Sequence, residues 1–259
     1  MVSFADMRLR GAAGFLHARL HRPRAGTALL VYFPASGYMS GGIDQAGLLC
    51  RQLSAMADLL VLAVAYRTVP EHPHPAGFHD AVAVLEWVID HAAELGADPA
   101  RILVGGEGAG GNLAAAVALH TRNQRWPLLA GQLLIHPSLD ALQGSPSLRE
   151  RPVTPLLSTA TLRAFYDTQL CTGASPDDPY LSPLHAPSLA GLAPATVITV
   201  EHDPLRDDGR RYAARLRQDG VPTEEHHYDD LFHGVLSELG HHDGADRLLA
   251  DLASFVRRC

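Results

Sequence analysis

A doubly wound α/β fold with a mostly parallel, eight-stranded sheet is what this sequence predicts. Three observations lead there. Short runs of continuous apolar residues recur along the chain, as suits strands buried on both faces. Segments with apolar residues at helical spacing separate those runs. One run, Arg101-Ile102-Leu103-Val104, passes through a glycine-crowded turn, Gly105-Gly106-Glu107-Gly108-Ala109-Gly110-Gly111-Asn112, into an alanine-rich helix from Leu113 to His120. Buried strands that alternate with helices are joined by parallel crossovers, with ligands taken at the carboxyl ends of the strands.

In chain order, Asp6 to Arg10 and Phe15 to His21 alternate around Gly11-Ala12-Ala13-Gly14 and read as a hairpin. Thr27 to Phe33 is a buried strand that ends in the loop Pro34-Ala35-Ser36-Gly37-Tyr38. Asp44 is placed to cap a helix reaching about Ala57. Leu59 to Ala65 is the next strand, and Tyr66 to Pro75 a proline-punctuated crossing loop. A long amphipathic helix covers Phe78 to Leu95. Leu129 to Ile135 is a strand stopped by Pro137. The stretch from Asp140 to Leu192 is irregular and proline-rich, with Ser158 to Leu170 helical. It reads as an insertion over one end of the sheet within a single domain spanning 1–259. Ala195 to Val200 is a strand, Asp207 to Gln218 a helix closed by Gly220, Thr223 to Tyr228 the last strand, and a final helix starts near Asp243.

Composition excludes several function classes. Hydrophobic residues make up 47 % and charged residues 19 %, enough for a sizeable core. A net charge of −7 lacks the basic footprint of a nucleic-acid binder. No apolar run is long enough to span a membrane, and the first residues, Met1 to Asp6, do not resemble a secretory signal. Cys50, Cys171 and Cys259 show no disulfide or metal spacing, which fits reduced thiols and a cytoplasmic setting. Among 15 histidines, His226-His227 and His241-His242 are adjacent and not four apart, so no metal is expected; neither is a cofactor.

A strand, a glycine-rich turn and a helix form the setting of a nucleophile elbow, G-x-S-x-G. Gly106, Ala109 and Gly110 stand where that motif wants them, and Gly108 stands at the nucleophile position. Further matches run along the chain: Tyr66-Arg67 through Pro70-Glu71-His72-Pro73; Ala97-Asp98-Pro99; Gly110-Gly111-Asn112-Leu113-Ala114; Pro137 with Asp140; Asp178-Pro179-Tyr180 with Ser182-Pro183-Leu184; His202 to Asp207; and His233-Gly234. In these residues the sequence resembles the hormone-sensitive-lipase family of α/β-hydrolases, which contains bacterial esterases and acetyl-hydrolases. The resemblance implies an α/β-hydrolase fold with a reduced cap at about 140–192. It also implies a triad in which Asp203 is the acid and His233 the base, with Gly108 where the serine belongs. Glu107 takes the place of the family's aspartate, and Pro34-Ala35-Ser36-Gly37 that of its His-Gly-Gly-Gly oxyanion loop.

Those departures set the functional expectations. Without serine no acyl-enzyme forms, but a His233–Asp203 dyad can still move protons near neutral pH. A chain disabled on purpose would change residue 108 alone, so the rebuilt oxyanion loop points to natural divergence. The first expectation is therefore a non-hydrolytic acid–base enzyme, a lyase, dehydratase, isomerase or cyclase acting on a carbonyl-bearing metabolite. The first alternative is an ester hydrolase that activates water directly or has lost its nucleophile. The second is a ligand-binding protein on the same scaffold. Glu107 is either a structural carboxylate or a second acid–base group. Gly108, Ala109, Ala35, Ser36, Gly37 and Tyr38 are the candidate substrate contacts. Only about five residues precede the first strand, where the family carries a covering helical segment. That leads to an expected open pocket for a bulky or carrier-protein-bound substrate. A homodimer through the last strand and helix is expected by analogy.

Overall fold

A single eight-stranded sheet organises the chain, in the order β1-β2-β4-β3-β5-β6-β7-β8. The computed structural model describes residues 2–35 and 42–258. The strands are β1 (Ser3–Gly11), β2 (Gly14–Arg22), β3 (Leu29–Phe33), β4 (Leu60–Val64), β5 (Ile102–Glu107), β6 (Gly131–Ile135), β7 (Ala195–His202) and β8 (Thr223–Phe232). The β1–β2 and β2–β4 pairs are antiparallel, and every pair from β4 to β8 is parallel. The helices are α1 (Gly47–Ala57), α2 (Ala76–His91), α3 (Ala109–Asn123), α4 (Ser147–Glu150), α5 (Thr159–Gln169), α6 (Arg206–Gln218) and α7 (Asp243–Arg258).

The buried runs β3, β4, β5 and β6 are covered on both faces, as their unbroken apolar character requires. Helices α2, α3 and α6 pack their apolar stripes on one face, through Val84, Leu85, Val117 and Tyr212. Helices α1 and α7 cover the other, through Leu49, Leu53, Leu248 and Leu252. Among the described residues no helix is long and apolar enough to cross a membrane.

Two local expectations shift. Asp44 does not cap α1: the helix starts at Gly47 behind Ala46, and no side chain caps it. The Asp44 carboxylate instead accepts a 2.7 Å hydrogen bond from Arg19 of the hairpin, since a guanidinium offers a stronger, charge-assisted bond. The glycine-rich turn is also shorter than its composition suggests. Ladder pairing of Gly106 with Phe33 and of Glu107 with Ile135 holds these residues in β5. Helix α3 begins at Ala109, so the turn is reduced to Gly108.

Buried polar groups lock the loops around this sheet. Asp80 of α2 is fully buried and accepts bonds from Arg67 Nε at 2.7 Å and Nη2 at 2.9 Å. It also accepts the backbone N–H groups of Ala12 and Arg67, which ties the hairpin turn and the crossing loop to one helix. Asn112, in the first turn of α3, donates to the carbonyls of Ser138 and Leu181, each at 2.7 Å. That pair fastens both arms of the segment between β6 and β7 to the elbow helix. Asp208 of α6 accepts from Leu139 N–H at 3.0 Å and from the Ser145 hydroxyl.

Burial pushes the Asp208 carboxyl up to about 7, against the opposing pull of its two hydrogen bonds. The folded chain therefore keeps a proton that the unfolded chain releases above its ordinary value of 3.8. With the folded state binding more protons, stability from this group falls as pH rises from about 4 to about 7. Asp208→Asn, which keeps an acceptor for Leu139, is expected to flatten that slope. Urea denaturation at both ends of the window checks this; equal slopes in the two proteins would refute it.

Candidate active site

The elbow is fixed by backbone packing. Gly108 has φ 57 and ψ −115, a conformation that costs glycine nothing and other residues strain. Its N–H donates to Ile135 O at 2.9 Å, and its carbonyl accepts from Asn112 N–H at 3.0 Å and Ser138 N–H at 3.2 Å. The flanking glycines allow a close approach: a Cβ on Gly110 would lie 1.8 Å from Phe33 O. The start of the loop after β3 is thus pressed against the first turn of α3. Tyr66 holds it from the other side by donating to Pro34 O at 2.9 Å.

Asp203 and His233 are brought together by a register irregularity. Strands β7 and β8 run in step to Val200–Tyr228, then shift, so that the next pair is His202 with Phe232. Asp203 and His233 are the residues immediately beyond that pair, and His233 N–H donates to His202 O at 3.1 Å. Their side chains meet, with His233 Nδ1 3.1 Å from Asp203 Oδ2. Asp203 is fully buried, and its other oxygen accepts from Leu205 N–H at 2.8 Å. Burial pushes the His233 imidazole down, but the charge and hydrogen bond of Asp203, with the charge of Glu107, outweigh it. The net shift is upward from the ordinary 6.5.

The free ring nitrogen of His233 faces the elbow. A Cβ built on Gly108 would lie 3.8 Å from His233 Nε2. A cavity of about 300 Å³ opens beside this gap, with Ala35, Leu49, Glu107, Leu156, His233 and Leu236 in its wall. The N–H of Ala109 opens α3, where helix geometry leaves amide hydrogens without intrahelical partners.

Among the residues proposed from sequence, the structure brings His233, Asp203, Glu107, Gly108, Ala109 and Ala35 to this one edge. Ser36, Gly37 and Tyr38 lie outside the described residues. Glu107 is 7 % exposed and reaches the cavity wall, beside His136, whose Nδ1 is 3.6 Å from Glu107 Oε1. His136 escaped the sequence reading, as did Tyr32, whose ring also lines the cavity. Tyr32 sits in a uniformly apolar strand with nothing local to mark it. A signal for His136 existed in a histidine directly after a buried strand and before Pro137. The structure also gathers Glu201, His227 and Asp229 within 4.8 Å of one another. Glu201 is already bound by Arg151 and Arg206, so this group acts as a surface ion-pair network.

Comparison with known proteins places this geometry. A family profile described as an alpha/beta hydrolase fold matches residues 30–237. Esterase LipI of Mycobacterium tuberculosis is 37 % identical over 243 residues, covering 91 % of this chain and 75 % of that protein. Carboxylic ester hydrolase LipN of the same organism is 37 % identical over 269 residues, covering 99 % and 72 %. Among solved structures, an esterase of Pyrobaculum calidifontis superposes with a TM-score of 0.91 at 34 % identity, covering 99 % of this chain and 85 % of its own. These relatives carry the names of ester hydrolases, and that overturns the expected non-hydrolytic lyase, dehydratase, isomerase or cyclase. A dyad, an amide donor and a cavity are all features that ester hydrolysis also requires.

The elbow packing gives a stability test. Gly108→Ala brings a methyl only into ordinary contact with the His233 ring, so its cost is chiefly backbone strain, about 1–3 kcal/mol. Gly110→Ala drives a methyl into the Phe33 carbonyl and is expected to cost more than about 3 kcal/mol or to prevent folding. Thermal or urea denaturation of the pair measures the difference. Equal stabilities would show that the close approach is not needed.

Proposed function

The chain belongs to the α/β-hydrolase family, in its hormone-sensitive-lipase-like branch, and on that premise we propose that it hydrolyses carboxylic esters with water in place of a serine nucleophile. The observation that carries this reading is His233 Nε2 lying 3.8 Å from where a Cβ on Gly108 would stand, with Asp203 behind the imidazole. Gly108 leaves that space for a water molecule, and the ester hydrolases among the relatives support the bond to be broken.

In the proposed reaction Asp203 holds His233 in the tautomer whose Nε2 is free. That nitrogen takes a proton as the water oxygen attacks the ester carbonyl carbon. The resulting oxyanion is met by the N–H of Ala109, in a site where buried donors act more strongly than in water. Collapse breaks the carbon–oxygen bond to the alcohol, and the His233 imidazolium returns its proton to the departing alkoxide. The products are a carboxylic acid and an alcohol, with no covalent intermediate. A cavity of about 300 Å³ stands at the small end of ligand sites, and Leu49, Leu156 and Leu236 make much of its wall apolar. Small esters with apolar acyl groups fit it better than a bulky substrate.

Loss of a triad nucleophile typically costs about 10⁶ in turnover and leaves roughly 10³–10⁴ over water. Slow turnover of short p-nitrophenyl esters is therefore expected, without a burst of p-nitrophenol in the first turnover. His233→Asn should lower that rate about 10²-fold. Gly108→Ser should raise kcat by about 10² or more and bring in an acyl-enzyme burst. Undiminished turnover in His233→Asn would refute the mechanism. As a general base, His233 works only when unprotonated, so kcat/KM should rise with pH through a midpoint above the ordinary imidazole value. Asp203→Asn should move that midpoint down, because the partner that favours the charged imidazole is removed. A pH–rate profile in both proteins checks the sign.

A further inference from the structure

His136 is the most unusual side chain near the site. It is 1 % exposed, and neither of its ring nitrogens has a hydrogen-bond partner among the described residues. Buried polar groups are nearly always paired, so two orphaned nitrogens on one ring call for an explanation. Its backbone is equally uncommon, with φ 42 at a residue that is not glycine. A strained, non-glycine conformation of this kind persists only where the surroundings fix it, and it clusters at functional sites. Here the backbone is fixed by His136 N–H donating to Ile198 O at 3.0 Å, while Ile135 and Ser138, which bracket His136-Pro137, both bond to Gly108.

The ring lies between two candidate participants. Its Nδ1 is 3.6 Å from Glu107 Oε1, within ion-pair range but beyond a formed hydrogen bond. Its ring centre is 5.4 Å from that of His233. Glu107 is buried with only a tenth of its side chain exposed, and that tenth faces the cavity. The groups that face His233 are thus Asp203 from the end of β7, Glu107 from β5 and His136 from the end of β6. Tyr32 of β3 lines the same cavity.

We propose that Glu107 and His136 form a second carboxylate–imidazole pair, in which His136 positions the Glu107 carboxylate so that it acts on His233 together with Asp203. The pair gives the orphaned Nδ1 of His136 a partner. A small rotation of the His136 ring brings Nδ1 into hydrogen-bond range of Glu107, and the carboxylate then keeps a fixed orientation toward the imidazole. The protonated form of His233, which must exist between proton uptake from water and its return to the alkoxide, gains a second negative neighbour. Both residues are positioning residues for the base. The inference rests on the reading of His233 as the proton-transferring group.

The test reads the imidazoles directly. The full chain is labelled in its histidine rings, and the His233 and His136 signals are followed by heteronuclear NMR across neutral pH without substrate. His233→Asn and His136→Gln assign them. Glu107→Gln is expected to lower the His233 midpoint by about one pH unit, since removal of a nearby negative charge disfavours the imidazolium. The same substitution should move the ring signals of His136, which reads the pair without altering the histidine. His136→Phe should lower the His233 midpoint in the same direction by less, and His136→Gln, which keeps a donor toward Glu107, should leave it near that of the unaltered protein. An unchanged His233 midpoint in Glu107→Gln would overturn the proposal. A shift in Glu107→Gln with none in His136→Phe, or still signals for His136 in Glu107→Gln, would overturn the part assigned to His136. Because no turnover is measured, an inactive chain that shows these shifts would refute ester hydrolysis and leave the second pair standing.

Discussion

The contact on which this site depends is between backbone atoms: the Phe33 carbonyl against Gly110, at a separation that excludes even a methyl group. It joins the carboxyl end of β3 to the first turn of α3, the two elements that must be in register for an oxyanion site to exist between a loop amide and a helix amide. Everything else at this edge is built outward from it. Tyr66 clamps the same loop through Pro34 O, and Asn112, two residues beyond Gly110, carries the hydrogen bonds that seat the insertion. The two glycines of the elbow therefore serve packing, and the third, Gly108, serves conformation.

Much of the fold was legible from periodicity alone. Apolar runs such as Leu60–Val64 and Gly131–Ile135 can only be buried strands, and the parallel order follows from the helices between them. Boundaries were less legible where composition and pairing disagree. Gly105, Gly106 and Glu107 look like turn residues, yet they are strand because Phe33, Leu133, Leu134 and Ile135 offer ladder partners on both sides. Asp44 looks like a cap, yet it serves Arg19, a residue 25 positions away that local reading cannot bring near.

The site divides in the same way. Asp203 and His233 could be marked from their motifs, because each follows a strand and strands of a parallel sheet deliver such residues to one edge. What the motifs could not give is the irregularity between Val200 and His202 that aligns the two side chains. The local cue for His136, a histidine between a buried strand and Pro137, does not tell what its side chain meets, because Glu107 and His233 come from other strands of the sheet. Gly108 and the loop Pro34-Ala35-Ser36-Gly37 depart from the pattern of a serine nucleophile with its oxyanion loop, but ester hydrolysis needs only an oxygen nucleophile, which water also supplies.

The shape of the elbow follows from the hydrogen bonds of residue 108. Its N–H is bound to Ile135, and its carbonyl is shared by Asn112 and Ser138, which open α3 and lead into the insertion. Those bonds hold the turn whatever side chain it bears. They also require the positive φ that strains every residue except glycine. Glycine at this position carries that conformation without strain, with the amide of Ala109 following it at the start of α3. The imidazole opposite keeps its orientation through Asp203, which is tied to Leu205 N–H and not to anything at the elbow. The elbow and the Asp203–His233 pair are thus held by different hydrogen bonds, and Glu107, next to Gly108 at the end of β5, is where they meet. On the reading of Gly108 as the place of a water molecule, these backbone bonds keep the gap opposite His233 Nε2 in shape, while Asp203 keeps the imidazole turned toward it.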